Sequence, residues 1–177
     1  MQVVVPDEYK FLYERSERRP VVKVPDPVLR EKCKPVTRIS NRVRLIAEEM
    51  VRAMRLAHGI GLAAPQMGFT DRIIVIAPDS RSIVLFNPEI TESSGSVVNE
   101  EGCLSLPGLY GDVRRASKVT VKGLDRKGRE VVYDMEGLAA RVVQHEIDHL
   151  DGILFIDKAD PSTLHWQLPA HEEASAV

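Results

Sequence analysis

Apolar residues recur three and four positions apart from Val43 to Ala57: Val43, Ile46, Ala47, Met50, Met54 and Ala57 share one side of a helical wheel. Ser40 or Asn41 stands where a cap is needed and Gly59 where the helix must stop, so a helix with one core-facing side is predicted. A second helix is predicted over 138–150, ended by Gly152. On it Arg141, Gln144, Asp148 and Asp151 form one narrow polar stripe, and most other positions are apolar or His, so the helix is buried on most sides. The short apolar runs 73–76 and 83–86, bounded by turn-forming residues, predict two buried strands. Val119 and Val121 alternate with Lys118, Thr120 and Lys122, and a second β-prone run at 131–133 follows a turn, which predicts a hairpin. Pro20, Pro25, Pro27 and Pro35 keep the segment between them extended or turned. Residues 1–18 show no sustained period and are expected to extend outside the core; 159–177 is expected to be a polar tail. Strand and hairpin signals outnumber crossover units, so the expected class is α+β, a central helix packed by antiparallel β-sheets in one domain spanning 1–177.

Composition narrows the function without naming it. A chain of 177 residues, 44% hydrophobic and 28% charged, has the balance of a globular domain. A net charge of −2 and a pI near 6.2 give no global attraction to nucleic acid or an anionic membrane. Asp7, Glu8, Glu14 and Glu17 fit neither a signal nor a transit peptide, and no run approaches the roughly 20 apolar residues of a membrane span, so a cytoplasmic location is expected. Two cysteines, Cys33 and Cys103, are too few for a disulfide framework and read as reduced thiols.

Chemistry enters with His145-Glu146-Ile147-Asp148-His149, an H-E-x-x-H pattern on the second predicted helix. Residues four apart on a helix have Cβ atoms about 5 to 6 Å apart, so two imidazoles there can reach one ion at about 2 Å. Glu146 lies one step around, near the ion without needing to ligate it. Leu138 and Val142 continue the histidine face as an apolar stripe. A catalytic site needs a third protein ligand and an open corner. The longer metalloprotease pattern would place a histidine where Phe155 stands, and Glu172 and Glu173 lie in the polar tail. Cys103, beside Gly102 with its freedom to turn, offers a soft thiolate, although a lone cysteine is also an ordinary small hydrophobe. The segment 59–66, with two glycines and two alanines, allows close approach of a backbone or ligand, or is simply a tight turn. Gln66 there is either a surface amide or a donor to a developing oxyanion.

Taken together and in this order, the segments G-I-G-L-A-A-P-Q at 59–66, E-G-C-L-S at 101–105 and Q-H-E-I-D-H at 144–149 resemble those of peptide deformylases, as does Pro25-Asp26-Pro27-Val28-Leu29-Arg30. The resemblance covers roughly residues 20 to 157. It implies hydrolysis of the N-terminal formyl group from formyl-methionyl nascent polypeptides, with Cys103, His145 and His149 as metal ligands and a water completing the site. It further implies ferrous iron (Fe2+) as the usual ion, with zinc (Zn2+), nickel (Ni2+) or cobalt (Co2+) as substitutes. Glu146 is then the proton carrier, with the Gln66 side chain and the Leu104 backbone N–H as donors to the formyl oxygen. Ile60, Gly61 and Leu62 match the peptide-binding stretch, with Gly61 admitting the substrate backbone, and Leu138 and Val142 are expected to wall the methionine pocket. Glu101, Gln144 and Asp148 are expected to orient ligands. Some members dock on the ribosome through a basic C-terminal helix, but after Lys158 the sequence has no lysine or arginine. The alternatives are another H-E-x-x-H hydrolase, such as a peptidase using Glu172 or Glu173, or a closed structural site with Cys33 as fourth ligand.

Overall fold

A computed structural model describes residues 3–16, 19–79 and 81–169. Its architecture is set by β2 (Ile73–Ile76), whose continuous apolar run is buried from both sides. Ile73 and Val75 join one core cluster with Val43, Ile46, Met50 and Met54 of α1 (Asn41–Leu56). Ile74 and Ile76 join another with Ala140, Val143, Ile147 and Leu150 of α2 (Gly137–Leu150). A strand covered on both faces has no solvent side, which is why its sequence does not alternate.

β2 pairs antiparallel with β1 (Gly61–Ala63) and β3 (Ile83–Ser94), and β3 continues to β6 (Lys118–Leu124) and β7 (Glu130–Glu136), in the order β1-β2-β3-β6-β7. β6 and β7 form the expected hairpin, its turn closed by Gly128 at φ +77°. Val119 and Val121 of β6 face α2. A second sheet, order β4-β5-β8, combines β4 (Val97–Cys103), β5 (Leu106–Arg115) and β8 (His165–Trp166). Its apolar face, Leu106, Leu109 and Val113, packs with Leu29, Phe155 and Ile156. The class is therefore α+β, with α2 central. Gly152 at φ +72° ends the helix, and a Cβ there would meet the Arg30 carbonyl carbon at 2.8 Å.

Several expectations change. The N-terminal segment is not outside the core: Asp7–Tyr13 is a 3-10 helix, and Leu12 is 3% exposed. Residues 159–169 are not a loose tail, because Ala159 bridges Val113 and β8 pairs with β5. The polar stripe of α2 runs from solvent into the core: Asp151 is exposed, and Gln144 and Asp148 are half-buried. Arg141 is buried, whereas Leu138, expected on the buried side, is 54% exposed. Glu17, Glu172 and Glu173 lie outside the described residues. No described helix is long and apolar enough to cross a membrane.

Candidate metal centre

The site is assembled where the end of β4 meets the side of α2. β4 and β5 pair in step up to Gly102 and Tyr110, then shift register at Cys103, which turns the strand end toward the helix. Gly102 serves close approach rather than a left-handed turn: a Cβ there would lie 2.6 Å from the Tyr110 ring. His145 and His149, one helical turn apart, have ring centroids 5.0 Å apart. One ligand atom each from Cys103, His145 and His149 lies within 4.8 Å of the others, and the Cys103 Sγ is 3.3 Å from His149 Nε2.

A buried network holds His145. Its Nδ1 is 2.9 Å from Glu101 Oε2, and Glu101 also accepts from Arg115 Nε at 2.8 Å, Arg115 Nη2 at 2.9 Å and Arg141 Nη1 at 2.6 Å. Arg115 pairs in turn with Asp148, which takes Lys158 Nζ at 2.7 Å. Burial raises the Glu101 carboxyl, but Arg115 and His145 outweigh it and hold the group well below the usual carboxylate range. Gln144 bonds instead to backbone, donating to Ala116 O at 2.9 Å and Ala140 O at 2.8 Å and accepting from Ala116 N at 3.1 Å. Glu146 has a different surrounding: burial lifts its carboxyl to about 7, and its buried Oε2 has no hydrogen-bond partner. Gly61 is glycine because a Cβ there would collide with Glu146 Oε1 and stand 2.8 Å from Val142. Glu146 and Val142 therefore approach this glycine closely on the side where a Cβ would stand.

Gln66, only 2% exposed, is no surface amide. Its Oε1 accepts from Ala63 N at 2.9 Å, and its Nε2 lies 3.2 Å from Ser105 Oγ and 3.6 Å from Cys103 Sγ. The extended segment before it clamps both partners: Val22 N donates to Gln66 O at 2.8 Å, Val24 N to Ser105 O at 3.1 Å and Lys23 Nζ to Leu104 O at 2.7 Å. Burial pushes the Lys23 ammonium down to about 8. A cavity of about 900 Å³ opens beside these groups, lined among others by Ile60, Gly61, Leu104, Leu138 and Val142. Leu62 does not reach it with its side chain, which is sealed in the α1 core.

The donor set fits a divalent ion. The Glu101 carboxylate accepts a hydrogen bond from His145 Nδ1–H and so leaves Nε2 with its lone pair, the usual orienting arrangement for a ligating imidazole. His149 faces the Cys103 Sγ with its Nε2, and the buried Oε2 of Glu146, next to His145 in the helix, has no hydrogen-bond partner; such orphaned atoms are few in folded proteins. Cys33 does not join them: its N–H donates to Leu150 O, it packs in the α2 core, and the only cluster of three or more such ligands among the described residues is Cys103, His145 and His149. Arg115 and Lys23 were not singled out from sequence; Arg141 was noted only as part of the α2 polar stripe, and Ser105 only as the end of the 101–105 segment. Leu109, Gly111, Val113 and Arg115 alternate inward along β5, a period of two that was available to mark Arg115 as buried.

The chain matches the family model of polypeptide deformylase over residues 18–165. A peptide deformylase of Halothermothrix orenii is 56% identical over 138 residues, which is 77% of this chain and 90% of that protein. One of Thermomicrobium roseum is 48% identical over 168 residues, 89% of this chain and 95% of that one. Among solved structures, a peptide deformylase from Synechococcus elongatus in complex with actinonin has a TM-score of 0.78 at 40% identity, covering 84% of this chain and 83% of its own. The Thermus thermophilus peptide deformylase has a TM-score of 0.76 at 48% identity, covering 81% of this chain and 86% of its own.

Proposed function

The chain belongs to the polypeptide deformylase family, and from that premise we propose that Cys103, His145 and His149 hold one divalent ion beside the reacting groups Glu146, Gln66 and the Leu104 backbone. The reaction is metal-dependent hydrolysis of the N-terminal formyl group from formyl-methionyl polypeptides, releasing formate. A divalent ion bound by this thiolate and these imidazoles supplies a Lewis-acid centre that acidifies water and polarises a carbonyl oxygen. Ferrous iron is the proposed native ion, with zinc, nickel or cobalt able to replace it; one sulfur and two ring nitrogens suit several of these.

Proton transfer falls to Glu146. A carboxyl lifted to about 7 both accepts and returns a proton near neutral pH. It takes a proton from the attacking water as the water oxygen bonds to the formyl carbon. It then delivers a proton to the leaving nitrogen as the C–N bond breaks, giving formate and a free amine. Charge developing on the formyl oxygen meets the Gln66 side-chain N–H and the Leu104 N–H, and one such preorganised donor is worth about 3 kcal/mol. Glu101 keeps the His145 ring aligned, with Asp148 acting through Arg115. β1 is an edge strand, so Ile60, Gly61 and Leu62 offer backbone groups to an added peptide strand, while Leu138 and Val142 wall the methionine side chain. On this reading residues 1–177 form one catalytic domain that acts in the cytoplasm on nascent chains, with only transient contact with the ribosome.

The supporting observation is the convergence of three ligand atoms within 4.8 Å beside the unpartnered Glu146 Oε2. The test is formate release from formyl-Met-Ala-Ser, assayed without oxygen because a cysteinate on ferrous iron is open to oxidation. Iron- or nickel-loaded wild type should release formate, and Glu146→Ala should not. Folded, metal-loaded wild type that releases none rejects the reading.

A further inference from the structure

The polypeptide deformylase match begins at residue 18, yet the segment before it is built into the site. The 3-10 helix Asp7–Tyr13 lies against β5. Tyr9 anchors it: its ring centroid is 5.0 Å from that of Trp166 on β8, and it covers Gly108, where φ is +84° and a Cβ would come within 2.8 Å of Tyr9 Cδ1. Val3 packs on the same core cluster as Leu109. The chain then returns through a tight backbone bridge, Arg19 N to Ser16 O at 3.0 Å and Ser16 N to Arg19 O at 3.3 Å. Arg19 Nη1 reaches back to Phe11 O at 2.6 Å, and Arg15 Nη2 donates to Pro20 O at 3.1 Å. These ties fix Leu12, which is 3% exposed and lines the cavity of Cys103 and His145 together with Val21, Leu104, Pro107 and Pro169.

Size points to what meets this wall. At about 900 Å³ the cavity is near the top of the roughly 300–1,000 Å³ typical of small-molecule sites. A formyl-methionyl group fills a fraction of that, so the residues after it also lie within the cavity. Leu138 and Val142, on α2, are the walls assigned to methionine, and Leu12 comes from a different element of the fold.

Resting on the deformylase reading, we propose that Leu12 is a specificity-determining residue: it contacts the side chains that follow formyl-methionine and favours apolar ones, the segment Asp7–Tyr13 being the wall that presents it. Lys23 and Arg19 also line the cavity, but Lys23 is engaged with the Leu104 carbonyl and Arg19 with Phe11, so the apolar contact decides the preference.

Three substrates separate this from a merely structural role: formyl-Met-Leu-Leu, formyl-Met-Ser-Ser and formyl-methionine amide, which has nothing beyond the first residue. For Leu12→Ser the KM for the Leu peptide should rise about tenfold, as for loss of an apolar contact, with kcat unchanged and the other two substrates moved less than about twofold. Tyr9→Ala, which unmoors the wall, should act in the same direction, and Leu12→Met should restore the preference. Calorimetric binding of formyl-Met-Leu-Leu to the zinc-loaded Glu146→Ala protein, with and without Leu12→Ser, should show the same tenfold change without turnover. Equal effects on all three substrates, or none, overturn the proposal. If wild type releases formate from no peptide, the deformylase reading fails, and the wall is then decided by the binding measurement alone.

Discussion

Glu101 and Glu146 are both almost fully buried, at 6% and 4% exposure, and both flank His145, yet their surroundings drive them in opposite directions. Glu101 accepts from two guanidinium groups and an imidazole, so its charge is matched and its proton is lost far below neutrality. Glu146 has one oxygen without a partner, and burial, helped by the nearby Glu101 and Asp148 charges, keeps its proton to about 7. Where two acids in one site are pushed apart in this way, the division of labour follows: one stays ionised and holds geometry, the other exchanges a proton. Burial raises both groups, and the difference is made by Arg115 and His145, whose hydrogen bonds and charges offset that burial at Glu101.

The contrast breaks most sharply at Glu146. On the proposed assignment Glu146→Ala removes the proton carrier but none of the three metal ligands, so kcat should fall by about 10³-fold. Metal content, read by atomic absorption, should stay at one ion per chain. Parallel loss of the ion would assign Glu146 to holding the metal and collapse the distinction from Glu101.

Glu101→Gln tests the other half. It leaves Arg115 and Arg141 charged and buried without their shared anionic partner, and breaking a buried pair costs about 3–5 kcal/mol. Urea unfolding should register that loss. Metal affinity should drop about 10- to 100-fold as His145 loses its orienting carboxylate. A change in kcat alone, with stability intact, would contradict the structural assignment.

A pH series on metal-free protein separates the two acids by sign. The folded value of Glu146 lies above its ordinary 4.5, so between about pH 4.5 and 7 the folded state binds more protons than the unfolded chain, and stability falls as pH rises through that window. Glu101 behaves oppositely: its contribution is present above about 4.5 and is lost as pH falls below it. The unfolding free energy of wild type relative to Glu146→Gln should therefore decline by about 2–3 kcal/mol between pH 4.5 and 8. A flat difference would mean that Glu146 is not held protonated.

Much of this arrangement was legible before the fold. The periods that marked α1, α2, β2 and the β6–β7 hairpin survive because packing against a core imposes them locally. The spacing of His145 and His149 placed both on one helix face, and the order of the three motif segments named their partner Cys103. The β4–β5 pair was missed because β4 is mostly exposed before Glu101 and carries Asn99, Glu100 and Glu101 in succession, leaving no apolar alternation to read. The β5 alternation marks Arg115 as inward, but its role was missed because its partners Glu101 and Asp148 are distant in sequence. Leu12 sits in a polar stretch and becomes core only because Tyr9 finds Gly108 and Trp166.

The smallest expected effect is the most local. Gly61 is held at its size by Glu146 Oε1 and by Val142 Cγ1, which would be 2.8 Å from an added Cβ. Gly61→Ala therefore presses on Glu146, the proposed proton carrier, and leaves Glu101 and its arginines untouched. The neighbours belong to a well-packed helix, so they yield by shifting Glu146 within its cavity, at about 1–2 kcal/mol. That displacement should lower kcat about tenfold, with metal content and the acid-side stability profile set by Glu101 unchanged. A Gly61→Ala protein with full kcat and a raised KM would show that the glycine's room is used by the substrate backbone after all, and that Glu146 tolerates the crowding.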